Sequence, residues 1–416
     1  MNSTPAVRYA TIVVAAIVFL VLGAFGGFYL FLRSKESSTD ATNAARGLNS
    51  NSPSFQGGIG STYQNIVSAI TGLGKNEPSE SAASGPVRYW KVSDTPISGF
   101  GWESSTTITF VERATGYVFT SDVSSHQNSR ISGMLIPKTY EALVAPGGYV
   151  IERGINDAGV ITTFSGKIVE GTSTAATSSP SSLSGTALLP GISHMQASAG
   201  THTILYTIKD SQGISLFTAG WDGTGAKRVF ASSIEGWRLY PLTDSNVIVQ
   251  NASDGVMGYS YRIDKNGVLQ DLFALPGLVV LPHPSTPSYL VSGSKDGVIS
   301  LLSKTAATTT TLELPIHTSA EKCAWLSGPS LIAYCAVPAS ITSKHFLDDW
   351  YRGIIHPADE LWQVDAGQGT AQMIFSPQNE SGLSLDVKDP AIDPSGNYIA
   401  FTNAVDQSLW VVRIAP

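Results

Sequence analysis

The sequence predicts an all-β fold, built from about seven four-stranded sheets set in a ring. Three observations predict it. The stretch from Asp393 to Ile414 reads as a tight turn, a short apolar strand, a second turn and a second short apolar strand. Weaker versions of this unit recur upstream at about 40-residue spacing, as four-stranded blades require. Only 14% of the residues are charged, and the chain carries 40 glycines, a composition that suits turn-rich β structure. A β-sandwich or two stacked all-β domains would also show short strands with turns every 8–12 residues or so. The pairing of strands at the longer spacing favours the ring, a β-propeller.

The local chemistry of the final unit supports this reading. Asp393, Pro394, Ser395 and Gly396 are turn formers: proline presets φ, glycine tolerates positive φ, and aspartate can bond its own backbone. Tyr398–Phe401 and Leu409–Ile414 are rich in β-branched and aromatic residues, which suit strands. The same rhythm appears at Thr203–Thr207 with Ile214–Thr218 and at Tyr289–Gly293 with Gly297–Leu302. Residues 393–414 resemble the repeat of TolB-like and WD-like β-propellers, with Ser395-Gly396 where that repeat has an Asp-Gly turn. The resemblance extends over roughly residues 87–416 and implies a propeller of an uncharacterised, membrane-anchored bacterial group.

In chain order, residues 1–9 form a short N-terminal tail. Within 10–32, Ala10 to Leu32 runs without a charge between Arg8 and Arg33, long enough to cross a bilayer as a single transmembrane helix. A cleavable signal peptide is the alternative, but its apolar region is normally about 7–15 residues, and no small-x-small site follows here. The predicted span is therefore an uncleaved anchor. Arg33 and Lys35 after it offset Arg8 before it, so flanking charge does not set the orientation. The short tail, the Ser/Thr-rich stalk and two pairable cysteines favour an extracytoplasmic ring; a cytoplasmic domain on a reversed anchor is the alternative.

Residues 33–86 are a polar Ser/Thr/Gly-rich linker. Ile59, Tyr63, Ile66, Val67, Ile70 and Leu73 recur in it at helical spacing, which fits either a partner-binding or membrane-surface helix or a transient helix in a stalk. The propeller is predicted over 87–416. The strand around Tyr89 has no partner nearby in sequence, and the last repeat is one strand short. Pairing the two closes the ring and removes two exposed sheet edges. Blades are then expected at 97–136, 139–189, 193–230, 236–273, 277–314, 320–375 and 383–414. The Ser/Thr/Ala run at 172–184 is expected to be a solvated loop.

Cys323 and Cys335 flank a turn at Ser327–Ser330, opposite each other on adjacent strands. They form either a cross-strand disulfide or two buried thiols. The sixth repeat carries an insert between its second and third strands, at about 343–359, on the face where propellers usually bind partners. Phe346, Trp350, Tyr351 and Ile354 make it too apolar for plain disorder. Its Asp-Asp-Trp-Tyr-x-Gly core resembles inserts of uncharacterised exported bacterial propellers and implies no activity. As a recognition loop, it offers Trp350 and Tyr351 as anchors, Arg352 as a donor, Asp348 and Asp349 as acceptors or cation ligands, and His345 and His356 beside them. As a plug, its aromatics cap the channel while Asp348 or Asp349 caps a short helix and pairs with Arg352.

No G-x-S-x-G elbow, phosphate loop, dinucleotide fingerprint or H-E-x-x-H motif occurs. The sequence therefore offers no catalytic, cofactor or metal residues. His345 and His356 need a third ligand to hold an ion. A net charge of −7 without a Lys/Arg cluster argues against nucleic acid as a partner. Two functions follow: a membrane-anchored, extracytoplasmic interaction or scaffold module with a protein partner in the cell envelope, or an exported hydrolase or lyase acting on glycan or peptide in the channel.

Overall fold

The computed structural model describes residues 88–415 except 170, 172, 175–176, 179–180, 199–201 and 251–252. The expected anchor, linker and 59–73 stripe lie outside the described residues. No helix among the described residues is long and apolar enough to cross a membrane.

Strand β1 (Tyr89–Lys91) precedes seven repeated units. The first holds β2 (Ile97–Trp102), β3 (Thr107–Glu112), β4 (Val118–Asp122) and β5 (Gln127–Arg130). The second holds β6 (Thr139–Ala145), β7 (Tyr149–Ile155), β8 (Ile161–Val169), a small hairpin of β9 (Ser173–Thr174) and β10 (Thr177–Ser178), and β11 (Ser182–Ala187). The third holds β12 (Ile192–Ser198), β13 (Thr203–Asp210), β14 (Gly213–Gly220) and β15 (Lys227–Ser232), and the fourth β16 (Trp237–Pro241), β17 (Ser245–Gln250), β18 (Met257–Asp264) and β19 (Leu269–Pro276). The fifth holds β20 (Val279–Pro282), β21 (Tyr289–Lys295), β22 (Val298–Lys304) and β23 (Leu312–Glu313). The sixth holds β24 (Cys323–Trp325), β25 (Ile332–Pro338), β26 (Asp359–Asp365) and β27 (Thr370–Phe375), and the seventh β28 (Val387–Ile392), β29 (Tyr398–Asn403) and β30 (Leu409–Arg413).

Each unit is one antiparallel sheet, and the seventh takes β1 as its outer strand, in the order β1-β30-β29-β28. Tyr89 pairs with Val412 and Lys91 with Trp410. The chain is thus a seven-bladed β-propeller closed by a strand from its far end. Apolar clusters fill every gap between neighbouring blades; the one joining blade seven to blade one packs Ala400, Leu409 and Val411 against Ile97, Ile108 and Phe110. Burying aliphatic and aromatic side chains here stabilises each by about 1.5–3 kcal/mol and leaves no blade with an uncovered face.

The repeated turns work as their residue types dictate. Asp393 Oδ1 accepts from the backbone N–H of Asn397 and Tyr398, both at 2.6 Å, and Gly396 takes φ 76°. Inner strands approach closely where glycine allows it: a Cβ on Gly99 would lie 2.0 Å from the Ala142 carbonyl oxygen.

The Ser/Thr/Ala run departs from expectation. Residues 182–184 begin β11, which pairs with β8 along Ser182↔Val169 to Ala187↔Phe164, and Ser173–Thr174 pairs with Thr177–Ser178. Small hydroxyl side chains disguised an outer strand that is largely exposed, where little apolar patterning is required.

Candidate functional site: the insert and the channel mouth

Antiparallel order puts the loops between second and third strands on the same face as the blade-to-blade connectors. The insert, between β25 and β26, emerges there. Its helix α1 (Phe346–Tyr351) buries Phe346, Leu347 and Trp350. Phe346 and Leu347 join the core shared by blades five and six. Neither Asp348 nor Asp349 caps α1. Asp254, from the β17–β18 loop of blade four, does so instead: its Oδ2 accepts from the N–H of Leu347 at 2.9 Å and Asp348 at 3.2 Å. A carboxylate at this end meets two otherwise unpaired donors and the positive end of the helix. Asp349 accepts from the Ser343 hydroxyl at 2.5 Å. Arg352 is exposed and makes no ion pair among the described residues, so the expected Asp–Arg352 pairing is absent from them.

The far side of the insert is tied to a buried ionic cluster. Lys322 is fully buried, and its Nζ donates to Asp359 Oδ2 at 2.6 Å, Asp386 Oδ1 at 2.8 Å and the Val387 carbonyl at 3.0 Å. The same ammonium lies 4.4 Å from the centre of the Trp350 ring. Trp350 Nε1 donates to both Asp386 oxygens, at 2.9 and 3.0 Å. His356 Nδ1 lies 2.9 Å from Asp386 Oδ2. A carboxylate can only accept, so Nδ1 carries the proton. Burial pushes the Asp359 carboxyl up to about 6, against the pull of Lys322. Trp350 thus serves the fold from inside, while Tyr351, Arg352, His345 and His356 remain exposed.

Tyr351 reaches the channel wall. Its hydroxyl donates to Glu321, which also pairs with Arg238 on β16; the Arg238 guanidinium sits 4.9 Å from the Tyr351 ring centre. Arg238 and Glu321 also line a cavity of about 580 Å³, whose other walls are inner-strand residues of blades two to seven, among them Glu141, His194, Tyr240 and Asp389. A second cavity of about 480 Å³ shares Glu141, Gln196 and Asp389 and adds Arg113 and Lys388. Burial holds the His194 imidazole below its ordinary value, helped by Arg153, and pushes Tyr240 up to about 12, so both are neutral donors or acceptors at pH 7.

Asp389 is the irregular residue of the channel. It takes φ 51° directly before Pro390, where the register of β28 against β29 slips between Lys388 and Ala391. Backbone in this region is strained for a residue with a Cβ, and bulges re-aim side chains. Surrounding protein pushes its carboxyl above the usual range; Lys388, 3.7 Å away, opposes this and Glu321 adds to it. With 70% of the side chain still exposed, channel water screens much of the effect. The sequence gives Asp389 no distinguishing context, because the bulge that aims it arises from pairing with β29.

Cys323 and Cys335 stand opposite each other in β24 and β25 and are bonded, with both residues buried. No group of three or more His, Cys, Asp or Glu that could hold a metal ion occurs among the described residues. The insert's His345 and His356 therefore have no third ligand within that set.

No known protein family matches the chain, and no curated protein does. Solved structures do match in fold. The β-propeller domain of the Trilobed protease from Pyrococcus furiosus aligns with a TM-score of 0.50 at 10% identity, over 77% of this chain and 98% of that one. The Cps50 (Swd1) β-propeller domain of Myceliophteria thermophila aligns at 0.48 and 10% identity, over 79% and 100%. A streptogramin B lyase aligns at 0.45 and 11% identity, over 79% and 97%. The first of these is described as having an open velcro topology, whereas this chain closes its ring by strand pairing. What it shares with these proteins is the propeller architecture.

Proposed function

We propose that the protein is a membrane-anchored, extracytoplasmic propeller that binds a protein partner of the cell envelope through the face bearing the insert. One observation carries this reading. Leu135, Val160, Leu189, Ile234, Val256, Val298, Ile354 and Val405 are each between 47% and 66% exposed. By strand order all eight occupy loops or hairpin ends of that one face. On the opposite face, Val169 and Val268 are the comparable residues among those described. Single exposed aliphatics are ordinary, but their recurrence along one face marks an association surface. The uncharged run at 10–32 supports the anchor, and the Cys323–Cys335 bond supports an oxidising compartment.

Cross-linking of the full chain in intact cells tests the proposal. Leu135→Glu, Val298→Glu and Ile354→Glu together should abolish the cross-linked product, and Val169→Glu with Val268→Glu should leave it. Equal capture by both variants would overturn the assignment of the face.

A second reading has its own support. His194, Arg238, Glu321 and the strained Asp389 face one cavity, as a hydrolase or lyase acting on glycan or peptide would need. Asp389→Asn should then remove turnover of such substrates while leaving partner capture intact.

A further inference from the structure

We propose that the side chains of Lys322 and Asp359 condense into an intramolecular amide, with Asp386 carrying a proton, so that blade six is closed by a second covalent bond besides its disulfide.

The reactants are already in contact. Lys322 Nζ donates to Asp359 Oδ2 at 2.6 Å and to Asp386 Oδ1 at 2.8 Å, and all three side chains are fully buried. Two carboxyl groups thus share one nitrogen, where an ordinary ion pair has one. The Trp350 ring covers that nitrogen from 4.4 Å. Fixing nucleophile and carboxyl together removes the entropy cost of bringing them into contact. Val387 orients both. Its carbonyl accepts from Nζ at 3.0 Å, and its N–H donates to Asp359 Oδ2 at 2.7 Å.

The other oxygen of Asp359 is the irregular feature. Oδ1 is buried and has no hydrogen-bond partner, whereas buried polar atoms normally have one. Burial pushes this carboxyl up to about 6, so its neutral form, the one an amine attacks, is populated in mild acid. Asp386 is the opposite case. Besides Lys322, it accepts from Trp350 Nε1 on both oxygens and from His356 Nδ1. It is placed to receive a proton from Nζ while Asp359 reacts.

The step balances without a further reactant. One ammonium proton passes to Oδ1 of Asp359, leaving an amine and a neutral carboxyl. The nitrogen lone pair forms the bond to Cγ, and the carbonyl electron pair moves onto Oδ2, where the Val387 N–H stabilises it. Asp386 takes a second proton from nitrogen and passes it to Oδ1. The pair on Oδ2 returns, the Cγ–Oδ1 bond breaks with its electrons on oxygen, and one water leaves. The amide keeps the third proton. Exclusion of bulk water from the site protects the bond from hydrolysis. The new bond ties the connector before β24 to the start of β26, and so fixes the base of the insert.

Tryptic digestion of the full chain, denatured with its disulfide reduced and alkylated, tests this by mass spectrometry. Trypsin does not cut after a lysine whose Nζ is an amide. The unsubstituted protein should therefore yield residues 305–344, uncut at Lys322, joined to 353–388 and one water lighter than the two together. Ion pairs do not survive denaturation, so they cannot mimic the join. Asp359→Ala and Asp386→Asn should each release 305–322 as a free peptide. Free 305–322 and free 353–388 at full mass, in place of the joined species, in the unsubstituted protein would overturn the proposal. So would a joined species that persists in Asp359→Ala, which lacks the carboxyl, or in Asp386→Asn, which lacks the proton carrier. Should either variant fail to fold, the digest of the unsubstituted protein decides alone.

Discussion

Glu152 offers the sharpest quantitative test of how the ring is packed. It lies in β7, is 1% exposed, and its Oε1 has no partner. Its Oε2 is 3.3 Å from the Thr139 hydroxyl, but that hydroxyl already donates its single proton to the Ile136 carbonyl at 2.7 Å. What this long contact donates to the carboxylate opposes the effect of burial but does not offset it. Burial accordingly pushes the group up to about 8, from 4.5 in the unfolded chain. Between those two values the folded protein holds a proton that the unfolded chain has released, so stability falls as pH rises. Each pH unit costs about 1.4 kcal/mol, giving about 4–5 kcal/mol across the window. Glu152→Gln keeps the shape and cannot ionise. Its urea midpoint, read by tryptophan fluorescence, should match the unsubstituted protein near pH 5 and exceed it progressively toward pH 8. Other titrating groups are common to both proteins and cancel in the difference. A difference in stability that stays constant from pH 5 to pH 9 would refute the reasoning.

Other expectations follow from the same geometry. Lys322→Met leaves Asp359 and Asp386 buried with no ammonium between them and should destabilise by about 3–5 kcal/mol in denaturant titration. Reduction of the Cys323–Cys335 bond, which closes a separation of 12 residues, should lower stability by about 2–3 kcal/mol, seen as a lower thermal midpoint in dithiothreitol. Gly99→Ala forces a Cβ against the Ala142 carbonyl, so blades one and two must separate; a loss of about 1–3 kcal/mol in the urea midpoint is expected. Deleting Tyr89–Lys91 removes the outer strand of blade seven and should abolish cooperative unfolding by calorimetry.

The architecture was legible because it rests on local signals. Turn formers such as Asp393 and Gly396, and apolar strands such as Tyr398–Phe401, recur at a spacing set by blade size. The pairing of the strand around Tyr89 with the last repeat was legible too, since an unpaired strand at one end and a missing one at the other leave little choice. The insert's position between β25 and β26 was likewise visible as an interruption of the rhythm. Its fastening was not. Lys322 sits in sequence beside Glu321 like any solvated pair, and its burial depends on Asp359, Asp386 and Trp350 converging from three separate elements. Asp254, which caps α1, lies in another blade altogether, and no spacing rule connects the two. Likewise the exposed outer strand β11 carried no apolar alternation, because one of its sides faces water.

The way the wheel is fastened has a consequence for how it is made. Six sheets draw their strands from contiguous chain, but the seventh needs β1, made before all of them, and β28, β29 and β30, made after them. The earliest strand must therefore wait, unplaced, while the other blades stack. Loop-closure entropy makes that final clasping step slow, and until it happens β30 presents a bare edge to any neighbour. A chain in this state is open to strand addition along that edge until β1 pairs with it.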